Sequence, residues 1–317
     1  MRRPSLIVLG WLALCCACGG SGGSSAPTTT GPAEAAPTIE ELRQTTYAGF
    51  ADDVGEVTLV DGHWEGAPYV EGGASRPRID LLGDLAIVGD VDGDGSDEAV
   101  VLLAQHGGGT GEFLFVAVVD RSGGHAHNTA TARIGDRIQI RRAAVDAGTI
   151  VLDVVQAGPD DAMCCPGDLV TRSWVVDSEG LRELAPVVTG RLGPDTLTGS
   201  EWVLARWNLD EPAPEAPAVT LVFDDGNVGG SSGCNRYFGA ITAGETPGDI
   251  RIGPVGGTMM ACPDDVMEVE ARYLTLLGSV EKMGFHNGRL ALTYSHDDTV
   301  GTLLFERRAL SETGAGD

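Results

Sequence analysis

Short apolar runs, divided by clusters of glycine, aspartate and proline, fill most of this chain after residue 50. Glycine accounts for 46 of the 317 residues, well above its usual share of about 7%. Runs of four to eight residues bounded by turn-forming residues predict β-strands. No strand–helix–strand alternation follows from the pattern, which argues against a parallel α/β sheet. The predicted strands lie at 57–60, 85–88, 99–103, 113–119, 134–140, 150–155, 170–176, 202–206, 219–223, 237–242, 250–254, 289–294 and 302–306.

Two segments have helical signals. Thr38 and Glu41 form a capping box, which predicts a short helix running to about Phe50. Asp265 and Glu268 follow a proline and mark the start of a second helix, whose apolar residues recur at helical spacing as far as 280. The glycine- and proline-containing stretch 186–194 is the best boundary between domains. We therefore expect two mainly-β (α+β) domains, a β-rich N-terminal domain at 38–190 and a C-terminal domain at 195–310.

The first 37 residues have the composition of a targeting signal and a tether. Arg2 and Arg3 precede a nine-residue apolar run at 6–14, which is too short to span a membrane. Residues 1–17 resemble a bacterial lipoprotein signal peptide, and the flexible 18–37 segment would be the tether. Cys18, which follows a small residue, is the favoured site of diacylation, while Cys15 and Cys16 are alternatives. An ordinary secretory signal is the competing interpretation.

Charge and the anchor together limit the partners. The net charge of −25 makes nucleic acid an unfavourable partner, because the chain would repel a phosphate backbone. The lipid anchor predicts a membrane partner and an extracytoplasmic location in the bacterial cell envelope. Gly19, rather than aspartate, follows the lipidated cysteine. In bacteria with two membranes, the resemblance to lipoproteins then implies the outer membrane.

A set of residues in the C-terminal domain carries a family resemblance: Trp202, Leu204, Thr220, Leu221, Phe223, Gly230, Gly233-Cys234-Asn235, Tyr237, Thr258, Met260-Ala261-Cys262, Glu270, Tyr273-Leu274, Gly288, Leu290, Leu292, Leu303 and Phe305. In order and spacing they resemble the META/HslJ domain family of bacterial envelope proteins. The resemblance implies an antiparallel β-barrel-like domain with one helix, and a link to motility, heat shock and drug tolerance. It implies no catalytic residue. Asn235 is read as a structural residue that bonds neighbouring backbone, rather than as a ligand.

Four cysteines remain after export if Cys18 is lipidated, and they allow three pairings. Because Cys234 and Cys262 both lie in motifs of the resemblance, we favour a disulfide between them. Two free thiols at these positions are the alternative. The oxidation state of the adjacent Cys164 and Cys165 stays open.

An acidic loop in the N-terminal domain predicts a calcium site. In the stretch 90–98, carboxylates alternate with other residues and a glycine occupies the sixth position, as calcium loops require. Val101 stands where an EF-hand would have its bidentate glutamate, so the loop is of a shorter type. The expected ligands are the side chains of Asp90, Asp92, Asp94 and Glu98 and the carbonyl of Ser96. A hairpin with solvated acids is the alternative.

A lipase-like pattern occurs in the chain, but in a context that does not suit a lipase. The run 106–109 copies an oxyanion-hole sequence, and Ser231 stands in a nucleophile-elbow pattern with His286 and His296 downstream. The elbow needs a strand, a turn and then a helix, whereas Ser231 precedes a strand. A serine esterase is therefore only a remote alternative.

The function expected from the sequence is that of a lipid-anchored, non-enzymatic envelope protein, acting in envelope maintenance or stress, with calcium as its expected cofactor. A solute- or peptide-binding module is the second hypothesis. A pocket lined by aromatic residues would favour it, because the chain has only 17 aromatic residues, 7 Phe, 5 Tyr and 5 Trp.

Overall fold

A computed structural model describes residues 34–50, 54–162 and 164–308. The predicted capping box is confirmed: Glu41 N–H donates to the Thr38 hydroxyl, and the Thr38 N–H donates to the Glu41 carboxylate. The helix that it starts, α1 (Ile39–Leu42), is only four residues long. The expectation that it runs to Phe50 is wrong. The chain turns extended at Thr46, because β-branched and aromatic residues there favour a strand in which Tyr47 is fully buried.

Two large β-sheets and one two-stranded pair make up the N-terminal part. After the two-stranded pair β1 (Thr46–Tyr47) and β2 (Val57–Thr58), a six-stranded antiparallel sheet has the order β3-β4-β6-β7-β8, with β5 paired to β6. A five-stranded antiparallel sheet follows, in the order β12-β11-β10-β9, with β13 paired to β11. The bounds are β3 His63–Glu65, β4 Arg78–Leu81, β5 Ile87–Gly89, β6 Glu98–His106, β7 Glu112–Ser122, β8 His125–Asp136, β9 Gln139–Asp146, β10 Thr149–Gln156, β11 Asp168–Asp177, β12 Gly180–Glu183 and β13 Val187–Arg191.

The six-stranded sheet is buried on both faces. One face packs on the five-stranded sheet, where Leu102, Val116, Leu152 and Trp174 share a hydrophobic cluster. The other face packs under α1 and the β1–β2 pair in a second cluster. Burial on both sides explains why the central strand β6 is a nearly continuous apolar run rather than an alternating one.

The C-terminal part is a ten-stranded antiparallel sheet with one long helix. Its order is β19-β18-β17-β16-β14-β23-β22-β21, with β15 paired to β14 and β20 paired to β18. The bounds are β14 Glu201–Trp207, β15 Glu211–Pro212, β16 Thr220–Asp224, β17 Asn227–Ser231, β18 Arg236–Ala243, β19 Ile250–Ile252, β20 Gly256–Gly257, α2 Asp264–Leu277, β21 Val280–His286, β22 Arg289–His296 and β23 Thr299–Arg307. Short 3₁₀ turns occupy Gly83–Leu85 and Pro194–Leu197.

The two ends of this sheet meet, which nearly closes a barrel. Asp249, just before β19, bridges to Lys282 in β21, and their side chains form an ion pair at 2.7 Å. The Met283 N–H also donates to the Gly248 carbonyl at 2.7 Å. The predicted fold class, mainly β with a barrel-like C-terminal domain and one helix, is confirmed.

Helix α2 begins where the sequence predicted, directly after Pro263. It ends earlier than the apolar pattern indicated, because Gly278 terminates it and Val280 already belongs to β21. Tyr273 and Leu277 are fully buried in the barrel core. The helix thus closes one face of the barrel with the residues that its spacing places on one side.

Candidate functional site

The acidic loop links β5 to β6. Its aspartates brace the turns of the loop, because each accepts a backbone N–H: Asp90 from Gly93 at 2.7 Å, Asp92 from Asp94 at 3.0 Å and Asp94 from Ser96 at 2.7 Å. Gly93 and Gly95 both adopt positive φ, at 81° and 91°. The glycines therefore allow a tight loop that brings several carboxylates close together.

Three of these carboxylates lie close enough to share one ion. Oxygens of Asp90, Asp92 and Glu98 lie within 4.8 Å of one another. Asp94 stands outside this group of three, and its carboxylate is engaged by Ser96 N–H. Carboxylate oxygens at such separations could bind a metal ion. The sequence thus predicted the loop and three of its side chains, while a direct role for Asp94 and for the Ser96 carbonyl stays a prediction.

Glu98 is the unusual member of the group. Its side chain is only 2% exposed. One carboxylate oxygen, Oε2, accepts the Val91 N–H at 2.9 Å, whereas the other, Oε1, is buried without a hydrogen-bond partner among the described residues. Burial, aided by the neighbouring aspartates, raises the pKa of the Glu98 carboxyl. A buried acceptor without a partner is costly, and a cation beside it would supply the missing interaction.

The cysteines of the C-terminal domain are joined in the structure. Cys234 and Cys262 form a disulfide, with their Cα atoms 6.0 Å apart. The bond ties the turn between β17 and β18 to the segment just before α2. Cys164 and Cys165 are free thiols.

Next to the disulfide, Asn235 connects three segments of the barrel. Its side-chain oxygen accepts the Met260 N–H at 2.7 Å and the Thr258 hydroxyl at 2.8 Å. Its side-chain amide donates to the Met260 carbonyl at 3.1 Å and to Glu270 at 2.9 Å. Asn235 is therefore a structural residue, but its partners are distant in sequence rather than its own neighbouring backbone.

Glu270 is the centre of this network. The family resemblance included this residue but implied no role for it. Glu270 projects from α2, and its Oε2 accepts the Ser232 hydroxyl at 2.5 Å and the Asn235 N–H at 2.8 Å. Burial disfavours its ionised form, but the hydrogen bonds from Ser232 and Asn235 outweigh burial and lower the pKa of the carboxyl. Both carboxylate oxygens of Glu270 thus accept hydrogen bonds that stabilise the motif.

The lipase-like residues are not arranged as a catalytic site. Ser231 ends β17 and leads by a short turn into β18, so the strand–turn–helix elbow is not formed there. The Ser231 hydroxyl accepts the Gly233 N–H at 3.3 Å. His296 lies against Ser279 and Asp297. Among the described residues no histidine is hydrogen-bonded to Ser231.

A cavity of about 580 Å³ lies beside the six-stranded sheet. Four aromatic side chains line it, together with Gln105 and Arg133. Phe50 meets Phe115 edge to face, with 5.2 Å between ring centroids. No sequence pattern locates this pocket, because its residues are scattered between 49 and 133 and only strand pairing brings them together.

Cys18, Cys15 and Cys16 lie outside the described residues. Within the described part of the chain, no helix has the length and apolar character needed to cross a membrane.

The comparison with family models agrees with the C-terminal motifs. Residues 195–307 match the family model of the META domain. An NMR structure of a protein from Burkholderia xenovorans is similar at 26% identity and a TM-score of 0.30, and the similarity covers 40% of this chain and 96% of that one. No curated protein sequence matches the chain.

Proposed function

Since residues 195–307 are a META domain, we propose that this chain is a lipid-anchored, non-enzymatic protein of the bacterial cell envelope whose N-terminal domain is stabilised by calcium. The observation that carries the non-enzymatic part is the closed hydrogen-bond network of Glu270. Its oxygens are taken up by Ser232 and Asn235. No activated nucleophile or free general base is left in this motif, so its polar residues serve the fold.

The calcium part rests on Glu98. Asp90, Asp92 and Glu98 would hold the ion, and the buried Oε1 of Glu98 would become a ligand instead of a buried acceptor without a partner. Hard oxygen ligands suit calcium, and a loop with few ligands suits the weak affinity of extracellular sites, around 10⁻⁴–10⁻³ M. The ion would also relieve repulsion among the three carboxylates.

Calcium should raise the melting temperature of the wild-type protein. At a calcium concentration of ten times Kd the gain is about 1.4 kcal/mol, or a rise of roughly 2–3 °C for a chain of this size. Glu98→Gln should abolish the rise, while Asp97→Asn should keep it, because Asp97 is an exposed acid in the same loop. Calorimetry with calcium, with magnesium and with a chelator makes the measurement.

Two results would contradict the calcium site. One is a melting temperature of the chelated wild type that calcium leaves unchanged. The other is an equal response in wild type and Glu98→Gln. Asp94→Asn adds a finer test: a full loss of response would place Asp94 among the ligands, and a retained response would limit them to the group of three.

The anchor is tested separately, on residues that the structure does not describe. Mass spectrometry of the mature N-terminus should find diacylated Cys18, and the protein should fractionate with outer membranes. Cys18→Ser should release soluble protein or leave the precursor uncleaved, whereas Cys15→Ser and Cys16→Ser serve as controls. An unmodified mature N-terminus would overturn the anchor.

A further inference from the structure

The aromatic cavity has the features of a ligand site and is independent of the acidic loop. Glu98 begins β6 and Gln105 lies near its end, about 23 Å away at 3.3 Å per residue. Four of the chain's 17 aromatic residues line this one cavity: Phe50, Tyr69, Phe113 and Phe115. Its volume, about 580 Å³, is within the range of small-molecule pockets.

Strand register explains how the cavity is built. Gln105 in β6 lies directly opposite Phe113 in β7, and Phe115 in β7 lies opposite Arg133 in β8. These side chains therefore share one face of three neighbouring strands. Phe50 forms one wall through its edge-to-face contact with Phe115, and the half-exposed Tyr69 forms another.

Gln105 is a polar group without a partner in an apolar wall. It is 4% exposed, and its side-chain oxygen is buried with no hydrogen-bond partner among the described residues. A buried acceptor in that state costs free energy that the fold alone does not recover. Solvent does not reach this oxygen in the structure, so a ligand carrying an O–H or N–H donor would satisfy it after the amide turns its oxygen towards the cavity.

Arg133 adds a positively charged hydrogen-bond donor at the rim of the cavity. Its guanidinium lies over the Phe113 ring, 4.2 Å from the centroid. It forms no ion pair with an acid among the described residues, and it is the one charged residue in the described lining of the cavity. In a protein with a net charge of −25, a cation in this position marks a preference for an anionic group.

We propose that this cavity binds a small planar aromatic acid, with its ring between the phenylalanines, a hydroxyl donating to Gln105 Oε1 and a carboxylate on Arg133. Strands β6 and β8 flank β7, so their backbones are about 10 Å apart, and Gln105 and Arg133 are offset by two residues along β7. The two backbones are therefore about 12 Å apart at these residues, which leaves room for one ring between the two side chains.

Ligand comparison on the unmodified full-length protein is the first test. The probe is 4-hydroxybenzoate, measured by titration calorimetry. Benzoate lacks the donor, 4-hydroxybenzyl alcohol lacks the carboxylate, and 4-hydroxycyclohexanecarboxylate lacks the flat ring. The probe should bind about tenfold or more tightly than each of these, because each loses one directed interaction. No binding of the probe at millimolar concentration, or equal binding of all four, would overturn the proposal.

Variants assign the contacts to their residues. Gln105→Met should weaken 4-hydroxybenzoate to the level of benzoate without lowering the melting temperature, because it also removes the buried unpaired acceptor. Gln156→Met is the matched control: Gln156 also has a buried side-chain oxygen without a partner, but it does not line the cavity. A structural role for Gln105 would instead lower stability and leave the preference for the hydroxyl unchanged.

A variant and a matched control also test the role of the Arg133 charge. Arg133→Met should weaken 4-hydroxybenzoate about tenfold or more while leaving 4-hydroxybenzyl alcohol nearly unchanged. Arg142→Met, at an exposed arginine outside the cavity, should change neither. Equal weakening of both probes by Arg133→Met, or loss of selectivity in the Arg142 variant, would contradict the assignment. Because the acidic loop is not involved, calcium should leave these affinities unaltered whether or not the loop binds it.

Discussion

Glu270 shows how a single buried acid can be kept ionised by its neighbours. The side chain is 8% exposed, and three donors from Ser232 and Asn235 surround its two oxygens. Each donor would itself be costly to bury without a partner. The acid and its donors therefore stabilise one another, and removal of either side leaves the other unpaired.

Glu270→Gln should lower the free energy of unfolding at pH 7 by about 2 kcal/mol, because an amide group replaces one acceptor oxygen and faces N–H and O–H donors. Urea denaturation measures the loss. Glu268→Gln, an exposed site on the same helix, should stay within about 0.5 kcal/mol of wild type. Equal stability of wild type and Glu270→Gln would show that the network contributes little.

The same residue predicts a pH dependence. The folded-state pKa of Glu270 lies below its ordinary value of 4.5. Its contribution to stability is therefore complete above the unfolded-state pKa and is lost as the pH falls through the lower, folded-state pKa. The stability difference between wild type and Glu270→Gln should shrink on acidification below about pH 4.5. A difference that is constant from pH 7 to pH 3 would contradict this assignment.

Gly230 illustrates a residue whose identity the packing requires. It has φ of +151°, and a Cβ added there would lie 2.2 Å from the Thr220 carbonyl oxygen. β16 and β17 approach too closely at this point for any side chain. The family resemblance included Gly230 but did not explain why a glycine is needed there. The close contact between the two strands explains it.

At the scale of elements, the disulfide joins a strand turn to a helix start. Cys234 and Cys262 are 28 residues apart, and the enclosed segment contains β18, β19 and β20. The same two ends are linked by Asn235 and Met260 through hydrogen bonds. The covalent bond and the polar network thus hold the same junction between the barrel and α2.

Replacing both cysteines by serine should lower the free energy of unfolding by roughly 3–4 kcal/mol, since the unfolded chain gains the freedom of an open loop. Guanidinium denaturation of the oxidised wild type and the double variant measures it. Cys164→Ser with Cys165→Ser is the control and should change stability little, because those thiols are free. A peptide map linking Cys234 to Cys164 or Cys165 would contradict the pairing.

At the scale of the whole molecule, the barrel and the N-terminal sheets share contacts. Val155 and Leu169 of the five-stranded sheet belong to the hydrophobic cluster of the barrel. The Phe285 N–H donates to the Gln139 side chain at 2.8 Å, and Arg289 pairs with Asp84 at 2.8 Å. Buried apolar contacts between parts of a chain favour cooperative unfolding.

We therefore expect one unfolding transition for the described part of the protein. Gln139→Ala should lower its midpoint by an amount equivalent to about 1–2 kcal/mol, because the Phe285 N–H loses its acceptor. Gln44→Ala, which removes an exposed side-chain contact to Asp61, should have little effect. Two separate transitions, or an unchanged midpoint in Gln139→Ala, would contradict the expected coupling. The domain bounds 38–190 and 195–310 stay predictions.

Local chemistry made much of this protein predictable. Alternating apolar runs specify strands, and glycine and aspartate between them specify turns. The capping box at Thr38 and the start of α2 after Pro263 depend only on neighbours in sequence. The acidic loop was predictable for the same reason, because its carboxylates lie within nine residues. The length of α1 was not, because burial of Tyr47 against a strand outweighed the helical signal.

Contacts between distant residues were decided by the tertiary structure alone. Gln105, Phe113 and Arg133 form one cavity only because three strands pair in a particular register. The Oε1 atom of Glu98 is a buried acceptor without a partner among the described residues only because the strand that it begins is covered on both faces. The sequence by itself thus determined many of the strands, the start of each helix and the matched motifs. It did not predict β1, β3, β4 or β17, and the predicted strand 134–140 is divided by the turn between β8 and β9. The tertiary structure decided which polar groups lost water without gaining a partner, because burial depends on packing and not on local composition.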